Sequence, residues 1–109
     1  MAFSTALADR VRHALARQRG VVEKKMFGGV GFLLNGNLLM GVWKDSLIAR
    51  LDAEDGKAAL GEPHVGPFAP AGRPMAGWVL VGPEGIDTDD QLAGWARRAL
   101  TFVRTLPAK

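Results

Sequence analysis

The sequence predicts an α+β fold, an antiparallel β-sheet of about four to five strands flanked by an N-terminal and a C-terminal α-helix. Three observations predict it. Apolar residues recur at three- and four-residue spacing near both ends of the chain, from Leu7 to Leu15 and from Leu92 to Leu106. Between them, Met26 to Leu51 reads as short strands in which aliphatic residues alternate with glycine or with one another. Within that stretch Asn35-Gly36 separates two apolar runs, the strongest short-range hairpin signal. A chain of 109 residues holds one core, so residues 1–109 are read as a single domain.

Each element follows in order. Ser4 or Thr5 caps the first helix, Leu7, Val11, Ala14 and Leu15 form its buried stripe, and Gly20 ends it. The Asn35-Gly36 turn should be type I′, which sets Leu33 opposite Leu38, Phe32 opposite Leu39, Gly31 opposite Met40 and Val30 opposite Gly41. Continuing, Gly29 meets Val42 and Gly28 meets Trp43, so each glycine makes room for a larger residue. A second turn at Lys44-Asp45 returns Ser46 to Leu51 as a third strand. One sheet face then carries Leu33, Leu38, Met40, Val42, Leu47, Ala49 and Leu51, and the other Val30, Phe32, Leu39, Trp43 and Ile48 with Arg50.

Both faces are apolar, so the second needs a cover. Either the two terminal helices take one face each, or a second copy closes the second sheet face as a homodimer. Asp52 to Leu60 reads as a short helical turn interrupted by Gly56, and Gly61 to Pro74 as a long proline- and glycine-rich loop. Loops of that length are often functional. Gly77 to Val81 is a further strand, and Thr88 to Gln91 is a capping box with Asp87, Asp89 and Asp90 at the positive end of the last helix.

Composition removes several chemistries. Without cysteine there is no disulfide, thiolate zinc site or cysteine nucleophile. Asp9, Arg10 and Arg12 interrupt any signal peptide and no run approaches the roughly 20 apolar residues of a membrane span, so a cytoplasmic location is expected. Gly28-Gly29-Val30-Gly31 lacks the endings of phosphate-binding loops. His13 and His64 have no partners at metal-ligand spacing, and Asp87, Asp89 and Asp90 lack the glycine and distal glutamate of a calcium loop. Ser4 and Ser46 sit in no nucleophile turn. No catalytic set, metal site or cofactor site assembles, and the chain is read as not an enzyme. Arg10, Arg12, Arg17, Arg19, Lys24, Lys25, Arg97 and Arg98 form a candidate nucleic-acid surface, although a formal charge of +3 fits a solvated basic face as well.

Lys24-Lys25-Met26-Phe27-Gly28-Gly29-Val30-Gly31, the Asn-Gly turn, Gly72-Arg73-Pro74-Met75 and Trp95-Ala96-Arg97-Arg98-Ala99 together resemble the TfoX/Sxy N-terminal-domain family. The resemblance runs in order along almost the whole chain. It implies helices flanking an antiparallel sheet and an association with regulating natural competence. The namesakes continue into a C-terminal domain that has no counterpart in this sequence, which is therefore expected to be a stand-alone domain. Trp78 stands where many relatives carry tyrosine.

These readings converge on a regulatory or adaptor domain that binds a protein partner through the second sheet face or the loop from Gly61 to Met75. Phe27, Arg73, Met75 and Trp78 are the candidate contacts. The alternatives are direct nucleic-acid binding through the basic helix faces and a small-molecule site under the loop.

Overall fold

A computed structural model describes residues 3–26, 28–69 and 72–109. The Ser4 hydroxyl accepts the Leu7 amide at 3.1 Å, which starts α1 at Thr5–Ala14. Six strands follow, β1 (Val21–Met26), β2 (Gly29–Leu34), β3 (Asn37–Trp43), β4 (Ser46–Arg50), β5 (Val65–Pro67) and β6 (Trp78–Val81). Helix α2 (Ala53–Ala59) lies between β4 and β5, and α3 (Asp89–Val103) closes the order after a short 3-10 turn. The expected capping box is present, with the Thr88 and Gln91 side chains each accepting the other's backbone amide.

All strands pair antiparallel in the order β1-β2-β3-β4-β6-β5. Four of these strands are those read from the sequence, and the two edges, β1 and β5, bring the sheet to six. Asn35 at φ 52 and Gly36 at φ 86 both occupy the left-handed region that a type I′ turn requires.

The expected register holds for Leu33 opposite Leu38 and then fails. A bulge leaves Leu39 unmatched, so Phe32 faces Met40, Gly31 faces Gly41 and Val30 faces Val42. One extra residue moves every later side chain to the other face. Val30, Phe32, Met40, Val42, Leu47, Ala49, Val79 and Val81 therefore share the core face, while Leu33 and Leu38 turn away from it. Gly31 does make room, but for its own sheet face: a Cβ there would sit 2.7 Å from the Met26 sulfur and 2.8 Å from Leu38 Cδ1.

Both terminal helices cover that one core face instead of taking a face each. Leu7 and Val11 of α1, Leu15 just after it, and Leu92, Trp95, Ala99 and Val103 of α3 join a single cluster with the sheet, whereas Ala14, expected in the buried stripe, is exposed, and α1 stops at Ala14 rather than at Gly20. The Arg10 guanidinium donates to the Asp87 carbonyl at 3.5 Å and Arg104 to Gln18 at 2.6 Å, tying α1 to α3 at both ends. Across the second face one register row reads Lys24, Gly31, Gly41, Ile48, Leu80, Gly66. Ile48 is wholly buried there, whereas Leu33, Trp43, Trp78 and Leu80 are half-buried.

The chain end folds back on the hairpin. The Lys109 amide donates to the Asn35 carbonyl at 2.8 Å, and the side-chain amide of buried Asn37 donates to the Pro107 carbonyl at 2.9 Å. A Cβ on Gly36 would come within 2.8 Å of Lys109, so this turn needs glycine for space as well as for φ.

Candidate functional site

An apolar groove of about 410 Å³ opens between α2 and the loop that precedes β6. Two glycines make it. Gly77 sits at φ 83, and a Cβ there would lie 2.3 Å from the Leu51 carbonyl oxygen. The Gly77 carbonyl in turn accepts the Leu51 amide at 2.7 Å. A Cβ on Gly56, in the middle of α2, would lie 2.5 Å from Gly77 Cα. Gly56, expected only to interrupt a helical turn, instead lets the helix press backbone to backbone on the start of β6. Asp52 caps that helix, its carboxylate accepting the Asp55 amide at 2.8 Å.

The other wall is a loop closed by its own backbone. The Met75 amide donates to the Phe68 carbonyl at 3.1 Å and the Trp78 amide to the Met75 carbonyl at 3.0 Å. Trp78 has two neighbours, Phe68 stacked at 6.1 Å between ring centroids and the Arg50 guanidinium 5.1 Å from its ring. Arg50 also lies 5.8 Å from the Phe102 ring. The indole also lines the groove.

Leu60, Pro67, Pro74, Met75 and Trp78 line the groove, and among the described residues Lys57 is its one ionisable side chain. Leu60 is 44% exposed and Met75 39%, which leaves apolar surface in water on both walls. With no carboxylate, imidazole or hydroxyl among the described residues of its lining, this groove can cover apolar side chains and orient an acidic group on Lys57.

Of the four candidate contacts, Met75 and Trp78 meet in this groove. Arg73 is exposed on the loop and does not line it, and Phe27 falls outside the described residues. Pro67 falls within the expected Gly61 to Met75 loop, whereas Lys57 and Leu60 were not anticipated. No local sequence signal marks Lys57 or Leu60, because their place in the groove depends on the contact of Gly56 with Gly77.

The candidate basic surface divides. Arg10 reaches Asp87 and Asp89, Arg12 pairs with Asp9 and Glu23, and Arg98 pairs with Glu62 at 2.9 Å while lying 4.3 Å over the Trp95 ring. Arg17, Arg19, Lys24, Lys25 and Arg97 are exposed and form no ion pair among the described residues. The Arg12 pair lies in a second cleft of about 410 Å³, between α1 and β1, whose lining includes Ala8, Asp9, Glu23, Lys25 and Val30. Hydrogen bonding to Arg12 holds the Glu23 carboxyl below its usual value, against a smaller opposing effect of burial, and the same bond raises the Arg12 guanidinium further.

A smaller cleft of about 310 Å³ gathers Glu62, His64, Asp90, Gln91 and Arg98 beside Trp95. Among the described residues no group of three His, Asp or Glu side chains has the arrangement to hold a metal ion. No helix of the described residues is long and apolar enough to cross a membrane.

The family model described as the TfoX N-terminal domain matches residues 13–103, most of the chain. That span takes in α1 from His13, the whole sheet and α3 to its last residue. No curated protein matches the chain.

Proposed function

The chain belongs to the TfoX N-terminal domain family, a non-catalytic regulatory module, and on that premise we propose that it is an adaptor that binds a protein partner in the groove between α2 and the β6 loop. The supporting observation is the exposure of Leu60 and Met75 on the two walls of one apolar groove. Scattered exposed hydrophobic residues need no explanation, but two that converge on a tryptophan supply the anchor pocket from which hot spots are built. The partner presents one or two apolar side chains to Leu60, Met75 and Trp78, with an acidic residue toward Lys57. The role is regulatory, of the transcriptional, competence-type kind, and the location cytoplasmic.

The test is capture from the source cells with wild type and with Leu60→Glu/Met75→Glu. A partner retained by wild type should bind the variant on the order of 30-fold more weakly, as for loss of a buried apolar anchor. Equal recovery by both would sink the groove. Binding should also change little between low and high salt, whereas attachment to duplex DNA falls steeply.

Leu33, Trp43 and Leu80, each half-exposed on the second sheet face, give a second copy of the chain its competing place. A dimer that dissociates on Trp43→Glu would choose it.

A further inference from the structure

The two edges of the sheet are opposites. β5 is three residues long and ends in Pro67, which has no amide hydrogen to offer, so that edge is blunted. β1 is six residues long, lacks glycine and proline, and its four central residues are exposed. Val22 on it is 63% exposed, more than Leu60 or Met75.

The backbone of β1 alternates in direction. At the head of its ladder the Asn35 amide donates to the Gly20 carbonyl at 3.3 Å, so Gly20, and by alternation Val22, Lys24 and Met26, direct their polar groups to β2. Val21, Glu23 and Lys25 turn theirs outward. Side chains alternate too: Val21, Glu23 and Lys25 lie opposite Leu34, Phe32 and Val30 on the helix-bearing face, and Val22, Lys24 and Met26 lie on the other.

We infer that β1 pairs antiparallel with β1 of a second copy, joining two six-stranded sheets edge to edge. A two-fold axis perpendicular to the sheet keeps each face on its own side, so an odd-numbered residue faces an odd-numbered one and an even an even. Two registers keep most of the strand paired. Centring on Glu23 sets that residue against its own copy and Val21 against the partner's Lys25. Centring on Lys24 sets Glu23 opposite the partner's Lys25 twice, as ladder-bonded pairs, and Val22 opposite the partner's Met26 twice.

The second register is selected by charge. Lys25 has no acidic partner among the described residues, and Glu23, though held by Arg12, keeps lone pairs free for a second cation. Edge lysines ordinarily discourage pairing. Here Lys25 finds its carboxylate in the second copy, while the two Lys24 ammonium groups meet at the axis on long stems that can splay into water. One strand pair buries less than the roughly 1,200 Å² of a stable interface, so association is weak, in the micromolar range or above.

Sedimentation of the full chain up to about 1 mM tests this, and concentration should bring hydrogen-exchange protection to the Glu23 and Lys25 amides but not to those of Val22 and Lys24. Lys25→Glu, a change at an exposed, unpaired side chain, is expected to weaken the dimer roughly tenfold or more. Mixing Lys25→Glu with Glu23→Lys should restore association, since each then meets its opposite. Monomer at every concentration overturns the inference. So does a dimer indifferent to Lys25→Glu, and one that Trp43→Glu dissociates instead moves the second copy to the sheet face.

Discussion

Two clefts of equal volume, about 410 Å³ each, differ in what they leave unsatisfied. In the α1/β1 cleft the charged groups largely answer one another, Asp9 and Glu23 both bonding to Arg12. In the α2 groove Leu60 and Met75 have no such internal solution and stand in water. Covering apolar surface gains about 25 cal/mol per Å², whereas a partner entering the charged cleft would have to displace contacts already made. Volume alone therefore does not mark a binding site; the chemistry left over does.

The largest effect that would break this contrast is loss of the groove itself. Gly77→Val should destabilise the fold by about 3 kcal/mol or more, measured by urea unfolding, because a left-handed φ and the Leu51 carbonyl both oppose a side chain. Gly28→Ala is the control: its φ is 76 but nothing lies within 4 Å of the new carbon, so about 1–2 kcal/mol is expected. Leu60→Ala and Met75→Ala sharpen the comparison from the other side. Each should shift unfolding by less than about 0.5 kcal/mol and yet cost a partner about 1–2 kcal/mol of binding, read by calorimetry.

The charged cleft should respond least. Arg12 has a half-exposed side chain, so Arg12→Met is expected to move the urea midpoint only slightly, and less in high salt. Because Arg12 holds Glu23 below its usual 4.5, the contribution of Glu23 is complete above that value. It is lost as pH falls through the lowered value of the folded state. Stability of the wild type should therefore drop more than that of Glu23→Gln on acidification below about pH 4.5, by a fraction of a kcal/mol.

Local signals made much of this fold legible. Asn35-Gly36, the Thr88 capping box and the stripe of α3 act within a few residues and stand where their chemistry requires, and of the α1 stripe Leu7, Val11 and Leu15 are buried while Ala14 is exposed. The bulge at Leu39 was not legible, because Leu33, Leu34, Leu38 and Leu39 are chemically alike and carry no phase. β1 was hidden by being an edge, exposed on both faces, and β5 by its length of three residues. Met75, in a loop rich in glycine and proline, and Trp78, in the strand that follows it, could be named as candidates. Lys57 and Leu60 could not, since their role depends on Gly56 meeting Gly77 across the fold. The internal engagement of Arg10, Arg12 and Arg98 is likewise tertiary.

The bond from Lys109 to Asn35 makes a ring of everything between them, four strands and two helices included. Release of the last three residues would strand the amide of Asn37, at a cost of about 1–3 kcal/mol. The tail should therefore fray reluctantly, and proteolytic trimming of it should loosen the hairpin tip 70 residues upstream before any other part of the sheet.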